Sequence, residues 1–165
     1  MRRSGISIIS AVMLLAASAC RFPYGFNGGG LPPNIRTMAI MPFENRTPSP
    51  NVQLELLAQM RSELRRRLGV RDAPEDRADA IVRGVIVEYL PDIAVGFSTQ
   101  STSARRRLQI TIDVEIFDVA KGKVLLSRKG LRGEGEYAER ADAEGRRIAI
   151  ERLVNEIVEG AQSQW

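Results

Sequence analysis

The chain has no histidine and a single cysteine in 165 residues. Without histidine the commonest general base and metal ligand is missing, and a zinc site built from His and Cys is excluded. One cysteine permits no internal disulfide, so the fold must rest on its core. Aromatic residues make up only 5% of the chain and nowhere interleave with basic residues as they do in RNA-binding modules. No nucleic-acid partner is expected. Also absent is the unbroken run of about 20 apolar residues that a spanning helix requires, because Ser7, Ser10 and Ser18 interrupt the apolar opening. The glycine-rich stretches, Gly28 to Gly30 and Gly130 to Gly135, have no lysine and hydroxyl behind them in a phosphate-loop pattern. Asp113 and Glu115 are two apart on an alternating segment, which places both on the solvated face of a strand. Neither an enzyme nor a cofactor is expected.

What is present begins at the first residue. Arg2 and Arg3 form a positive n-region, Ile6 to Ala17 an apolar h-region, and Ala17-Ser18-Ala19 a run of small residues that leads into Cys20. That is the architecture of an export signal, here over residues 1–19. The four residues Ala17 to Cys20 resemble a bacterial lipobox, with Ala17 where that pattern usually carries leucine. Cys20 is therefore expected to become the lipidated first residue of an exported protein. Arg21 follows it, with no aspartate to suggest inner-membrane retention; by likeness to sorted lipoproteins, the expected place is the outer membrane, facing the periplasm. Each buried methylene of an acyl chain adds about 0.8 kcal/mol, and stable anchoring needs more than one chain. Removing residues 1–19 takes away Arg2 and Arg3 and lowers the formal charge from +4 to +2. The 146 residues that remain of 165 suit one domain.

Residues 20–34 are dense in glycine and proline and read as a linker between lipid and domain. The single domain, 35–165, opens on an apolar run at 36–43 that carries apolar atoms on both faces, as an internal strand does. Ser49 as cap, Pro50 at the first helical position and Val52, Leu56, Met60, Leu64 and Leu68 four apart mark a helix that Gly69 ends, with Leu54 and Leu57 beside the stripe. Arg61, Arg65, Arg66 and Arg67 are expected on its solvated side. A second strand runs from Ala80 to about Tyr89, with Pro91 as its stop, and a polar connection occupies 92–104. Strict alternation of Leu108, Ile110, Ile112, Val114 and Ile116 with polar residues predicts a half-buried antiparallel strand over 107–117. A turn at Asp118 to Lys123 and a return strand to about Glu136 follow, its glycine-rich end predicted to bulge or fray. Ile150, Leu153, Val154, Ile157, Val158 and Ala161 then place one stripe on a final helix over about 142–162. The predicted fold is α+β: a two-layer sandwich of order β-α-β-β-β-α, with a mostly antiparallel four-stranded sheet and two helices on one face.

This order, preceded by a lipobox cysteine, resembles the LptE family of lipopolysaccharide-assembly outer-membrane lipoproteins. Tyr24-Gly25-Phe26-Asn27-Gly28 and Leu31-Pro32-Pro33-Asn34-Ile35-Arg36-Thr37 look like the family's opening after the lipid, and Pro42-Phe43-Glu44-Asn45-Arg46 is similar to a strand end in its members outside the enteric bacteria. The family usually has Gly-Tyr directly after the lipidated cysteine, where this chain has Arg21, Phe22 and Pro23.

The resemblance implies a non-enzymatic protein that plugs the outer-membrane β-barrel LptD, helps it assemble and contacts lipopolysaccharide. Lipopolysaccharide phosphates call for cationic donors, and arginine's planar fork suits them. Charge and position single out Arg105, Arg106 and Arg107 first and Lys121 and Lys123 second, each also readable as a residue that keeps a strand end soluble. The competing reading is a periplasm-facing lipoprotein that regulates peptidoglycan synthesis or scaffolds a secretion pore, for which the Pro42-Phe43 strand end is the main support.

Overall fold

The computed structural model describes residues 30–94 and 105–163. The signal, Cys20, Tyr24 to Gly28 and most of the 92–104 connection lie outside the described residues. The elements run β1 (Thr37–Ile40), β2 (Glu44–Asn45), α1 (Pro50–Leu68), β3 (Arg71–Asp72), a 3₁₀ turn (Glu75–Arg77), β4 (Ala80–Ala94), β5 (Arg105–Asp118), β6 (Lys123–Ala138) and α2 (Asp142–Ser163). The sheet order is β3-β1-β4-β5-β6, with β2 also paired to β4. Among the described residues no helix is long and apolar enough to cross a membrane.

The α+β class and the two-helix layer are as predicted. Strand number and direction differ. The sheet has six strands instead of four, because β2 and β3 contribute two residues each and are too short to leave a periodic signal. β4, β5 and β6 form the expected antiparallel meander, but β1 pairs parallel with both β3 and β4. A parallel neighbour needs a crossover connection, and α1 supplies it between β1 and β4. β1 is internal, as its two apolar faces require.

One core joins the layers. Val52, Leu56, Met60 and Leu64 of α1 meet Ile150, Leu153, Val154, Ile157 and Val158 of α2 over the inner face of β4 and β5. α2 covers β5 and β6, while α1 beside it packs over the β1 side. The helices are pinned to one another at both ends: Arg146 donates to Glu55 at 2.9 and 3.0 Å, and Arg67 donates to Asn155 at 2.8 Å. Arg67 is therefore not on the solvated face with Arg61 and Arg65. Leu54, expected beside the apolar stripe, is 67% exposed.

Local chemistry explains the other departures. α1 starts at Pro50 and ends at Gly69 in the left-handed region, φ 67°, as predicted, yet Ser49 makes no side-chain cap. Asn45 organises that turn instead, accepting from Thr47 N and Oγ1 at 3.0 and 2.8 Å and donating to the Ser49 carbonyl at 2.9 Å. Pro91 does not end β4. It falls in the register shift between Leu90 and Ile93, where the ladder does not need the N–H that proline lacks. The Tyr137 hydroxyl donates to its carbonyl. β6 does bulge near Gly130, whose N–H donates to Asp113 at 2.7 Å, but it does not fray, and it runs on to Ala138.

Candidate functional site

The Pro42-Phe43-Glu44-Asn45 strand end is built into the fold. Phe43 is 1% exposed, and its ring occupies the space that a side chain at Gly84 would need. Its carbonyl accepts from Gln53 Nε2 at 2.8 Å, and Asn45 shapes the entry to α1. The stretch is accounted for by packing and hydrogen bonding within the domain, so it gives the scaffold reading no separate support.

The cationic candidates do not form one site. β5 is 14 residues long, roughly 45 Å at about 3.4 Å per residue. Arg105 to Arg107 stand at its start, and Lys121 and Lys123 stand beyond its far end. Alternation also divides the arginines between faces. Arg105 and Arg107 project from the outer face, where Glu136 lies 3.6 Å from Arg105 and 3.2 Å from Arg107, and Glu134 lies 3.4 Å from Arg107. Arg106 shares the side of Leu108 and pairs with Asp92, which raises its pKa above the ordinary arginine value. The cluster thus faces its own carboxylates from both β4 and β6. Such exposed pairs contribute little to stability and can exchange partners.

At the opposite end, Lys121 donates to Asn34 Oδ1 at 3.0 Å and lies 3.9 Å from Asp118. Lys123 is exposed at the start of β6, in register with Asp118. Sequence reasoning missed the group around which this end is organised. Asp118 is fully buried; one of its oxygens accepts from Asn34 Nδ2 and the other from the Lys121 amide, each at 3.0 Å. Burial pushes the carboxyl up, but those hydrogen bonds and the lysine charge outweigh it and hold the group below the ordinary aspartate value. Asn34 and Asp118 are 84 residues apart, so no local pattern announces them. Asp79 works similarly on the entry to β1, where its Oδ2 accepts from the Arg36 amide and from the Thr37 amide and hydroxyl.

The outer sheet face carries several charged and polar pairs, with Leu90 exposed opposite Gln109 among them. Arg83 lies 3.3 Å from Glu115 and 5.8 Å from the centroid of the Phe117 ring. Glu88 accepts from Gln109 and Thr111 at 3.3 Å. Asp113 and Glu115 share this face as predicted, yet one is taken by the Gly130 amide and the other by Arg83, so they make no acid/base pair. A shallow hollow of about 340 Å³ opens here among Glu44, Arg83, Asp113, Glu115, Ser127 and Lys129. Its charges of both signs are suited to polar contact with water or a polar partner.

The sequence pattern of the family described as "LptE: Lipopolysaccharide-assembly" matches residues 35–162. No curated protein matches the chain. Among solved structures, the PelC dodecamer from Paraburkholderia phytofirmans is similar at TM-score 0.53 and 16% identity, over 84% of this chain and 95% of that one. The hypothetical protein CT253 from Chlamydia trachomatis is similar at TM-score 0.52 and 11% identity, over 78% of this chain and 96% of that one. At identities this low, the structural likeness establishes a common fold and nothing beyond it.

Proposed function

The chain belongs to the LptE lipopolysaccharide-assembly family, and from that premise we propose that it is a non-catalytic outer-membrane lipoprotein that plugs the LptD barrel, helps it assemble and contacts lipopolysaccharide. Cys20 carries the lipid and holds the domain on the periplasmic side. The observation that carries the reading is the family match, which spans both layers of the sandwich. The physics agrees. A small α+β body whose outer sheet face presents paired charges is suited to a water-filled barrel interior, which is polar. Arg105, Arg106 and Arg107 are the first lipopolysaccharide contacts in this reading, with phosphates replacing the carboxylates of Asp92, Glu134 and Glu136.

Affinity purification of the full chain from detergent-solubilised outer membranes tests the proposal. A large barrel protein is expected at one-to-one stoichiometry, with lipopolysaccharide in the eluate. Reversing Arg105, Arg106 and Arg107 to glutamate should strip most of that lipopolysaccharide while the barrel remains. Unchanged lipopolysaccharide would reject the arginine site, and absence of a barrel would reject the plug.

A second reading has one observation in its favour, the likeness to a protein that assembles as a dodecamer. β6 is a 16-residue strand at the sheet edge, and such an edge can pair with another copy. On that reading the protein scaffolds a pore, and the same purification yields a homo-oligomeric ring. The third role, regulation of peptidoglycan synthesis, predicts a synthase in the eluate.

A further inference from the structure

We propose that the outer edge of β6 takes an added strand from a different polypeptide, an extended segment whose carboxylates pair with Arg128, Lys129 and Arg132. β6 is the last strand of the sheet and is 16 residues long. At the other end of the order stands β3, with two residues, and β2 has two as well. Among the described residues β6 is therefore the one long edge. An edge strand turns N–H and C=O groups outward with no partner in the sheet, and an extended segment satisfies them by joining as a further strand. From Leu131 to Ala138 the edge is regular, each residue opposite one of β5 without a register shift, from Ile112 to Arg105. α2 braces the inner face of this stretch, where its backbone comes close to Gly133 and Gly135.

Charge selects the incoming strand. Between Arg128 and Arg132 stand three cations, Arg128, Lys129 and Arg132, all exposed. Among the described residues none of the three has an ion pair, and Arg128 donates to the neighbouring Ser127 carbonyl at 3.4 Å. They differ in this from Arg105, Arg106 and Arg107, each of which faces a carboxylate. The surrounding acids are already engaged. Glu134 and Glu136 face Arg107 and Arg105, and Glu115 faces Arg83. On α2, exposed Glu156 is matched by exposed Arg152 one turn earlier. Asp113, which lines the same hollow as Lys129, accepts from the Gly130 amide. Three cations against that one acid leave the edge positive, and opposite charges on neighbouring strands attract.

A second copy of the chain is a poor source of that strand. Its β6 offers only Glu134 and Glu136 as acids, and Arg105 and Arg107 already hold both. Its β2 and β3 are too short to line the edge. The bulge at Gly130, φ 63°, sits among the cations. Bulges and charges together guard an edge against indiscriminate pairing, so this edge turns away basic strands and admits an acidic one. In the plug reading that strand belongs to the barrel protein, but the inference requires only a polypeptide of this chemistry.

The test compares the full chain, purified with its partners from detergent-solubilised outer membranes, with the same chain purified free of them. Amide hydrogen exchange from Leu131 to Ala138 should be several-fold slower in the complex. A carbodiimide, which joins an amine to a carboxylate in contact with it, should link Lys129 Nζ to an aspartate or glutamate of the partner. Lys129→Glu combined with Arg132→Glu should abolish the slowing. Arg61→Glu combined with Arg65→Glu, the same charge change on exposed residues of α1, should leave it intact. Unchanged exchange along β6, equal loss in the two double variants, or a Lys129 link to a second copy overturns the inference. Slowing that appears with added lipopolysaccharide and no second protein overturns the choice of a polypeptide. A barrel that co-purifies while β6 exchanges as before defeats the edge and leaves the plug. A strand supplied by a protein other than a barrel defeats the plug and leaves the edge.

Discussion

Replacing Gly135 with alanine is expected to destabilise the domain by at least about 3 kcal/mol, the upper end of what overpacking usually costs, and to lower Tm by roughly 10 °C for a domain of this size. β6 turns Gly133 and Gly135 toward α2, and there the helix backbone itself takes the space of the missing side chains. A Cβ at Gly135 would overlap the carbonyl of Gly145, and one at Gly133 would overlap the carbonyl of Ala149. Gly145 in turn leaves room for the Tyr137 ring. No rotamer change relieves a clash with backbone, so α2 must lift and Ile150, Leu153 and Val154 lose contact with the sheet. Gly130 provides the contrast. It has φ 63° and nothing within 4 Å of the point where a Cβ would stand, so Gly130→Ala should cost only the left-handed strain, about 1 kcal/mol. Thermal or urea unfolding of both variants checks the pair; equal effects would mean that close helix packing is not what Gly135 serves.

Asp118→Ala is expected to cost about 2–3 kcal/mol, the range for losing hydrogen bonds to a buried charge. It also frees Asn34 and the turn amide of Lys121 at once. Amide exchange should rise at Asn34, Ile35 and the turn, and stay unchanged in the middle of β5. The contribution also has a defined pH dependence. The folded pKa of Asp118 is depressed, so its stabilisation is complete above the unfolded value of about 3.9 and is lost as pH falls through the folded value. The stability gap between the natural protein and Asp118→Asn should therefore be open at pH 5 to 7, roughly one unit or more above that value, and close under acid. A gap that stays constant into strong acid would show that shape, not charge, holds Asn34 to the turn.

These two sites also show where sequence reading stops. The stripe of Val52, Leu56, Met60 and Leu64, the glycine stop at 69 and the alternation of Leu108 to Ile116 are local periodicities, and each became the element it predicted. Gly133 and Gly135 read as weak points because a sequence shows a missing side chain but not the helix that fills its place. Pro91 read as a strand end because the bulge that tolerates it depends on pairing with β5. The parallel direction of β1 could not be read from a strand of four residues, three of them apolar, which looks alike in either orientation. For the candidate site, the positive residues were legible, but the carboxylates that face them were not. Arg107 meets Glu136 across 29 positions, and Arg106 meets Asp92 across 14.

Intact-mass spectrometry of the native chain, purified from the envelope of its host, tests the anchor most directly. The expected species begins at Cys20 and carries the mass of several acyl chains; a Cys20→Ser chain should lack that mass and leave the outer-membrane fraction. A natural protein that keeps residues 1–19, or that starts at Cys20 without acyl mass and stays in the soluble fraction, would contradict a lipid-held domain at the outer membrane.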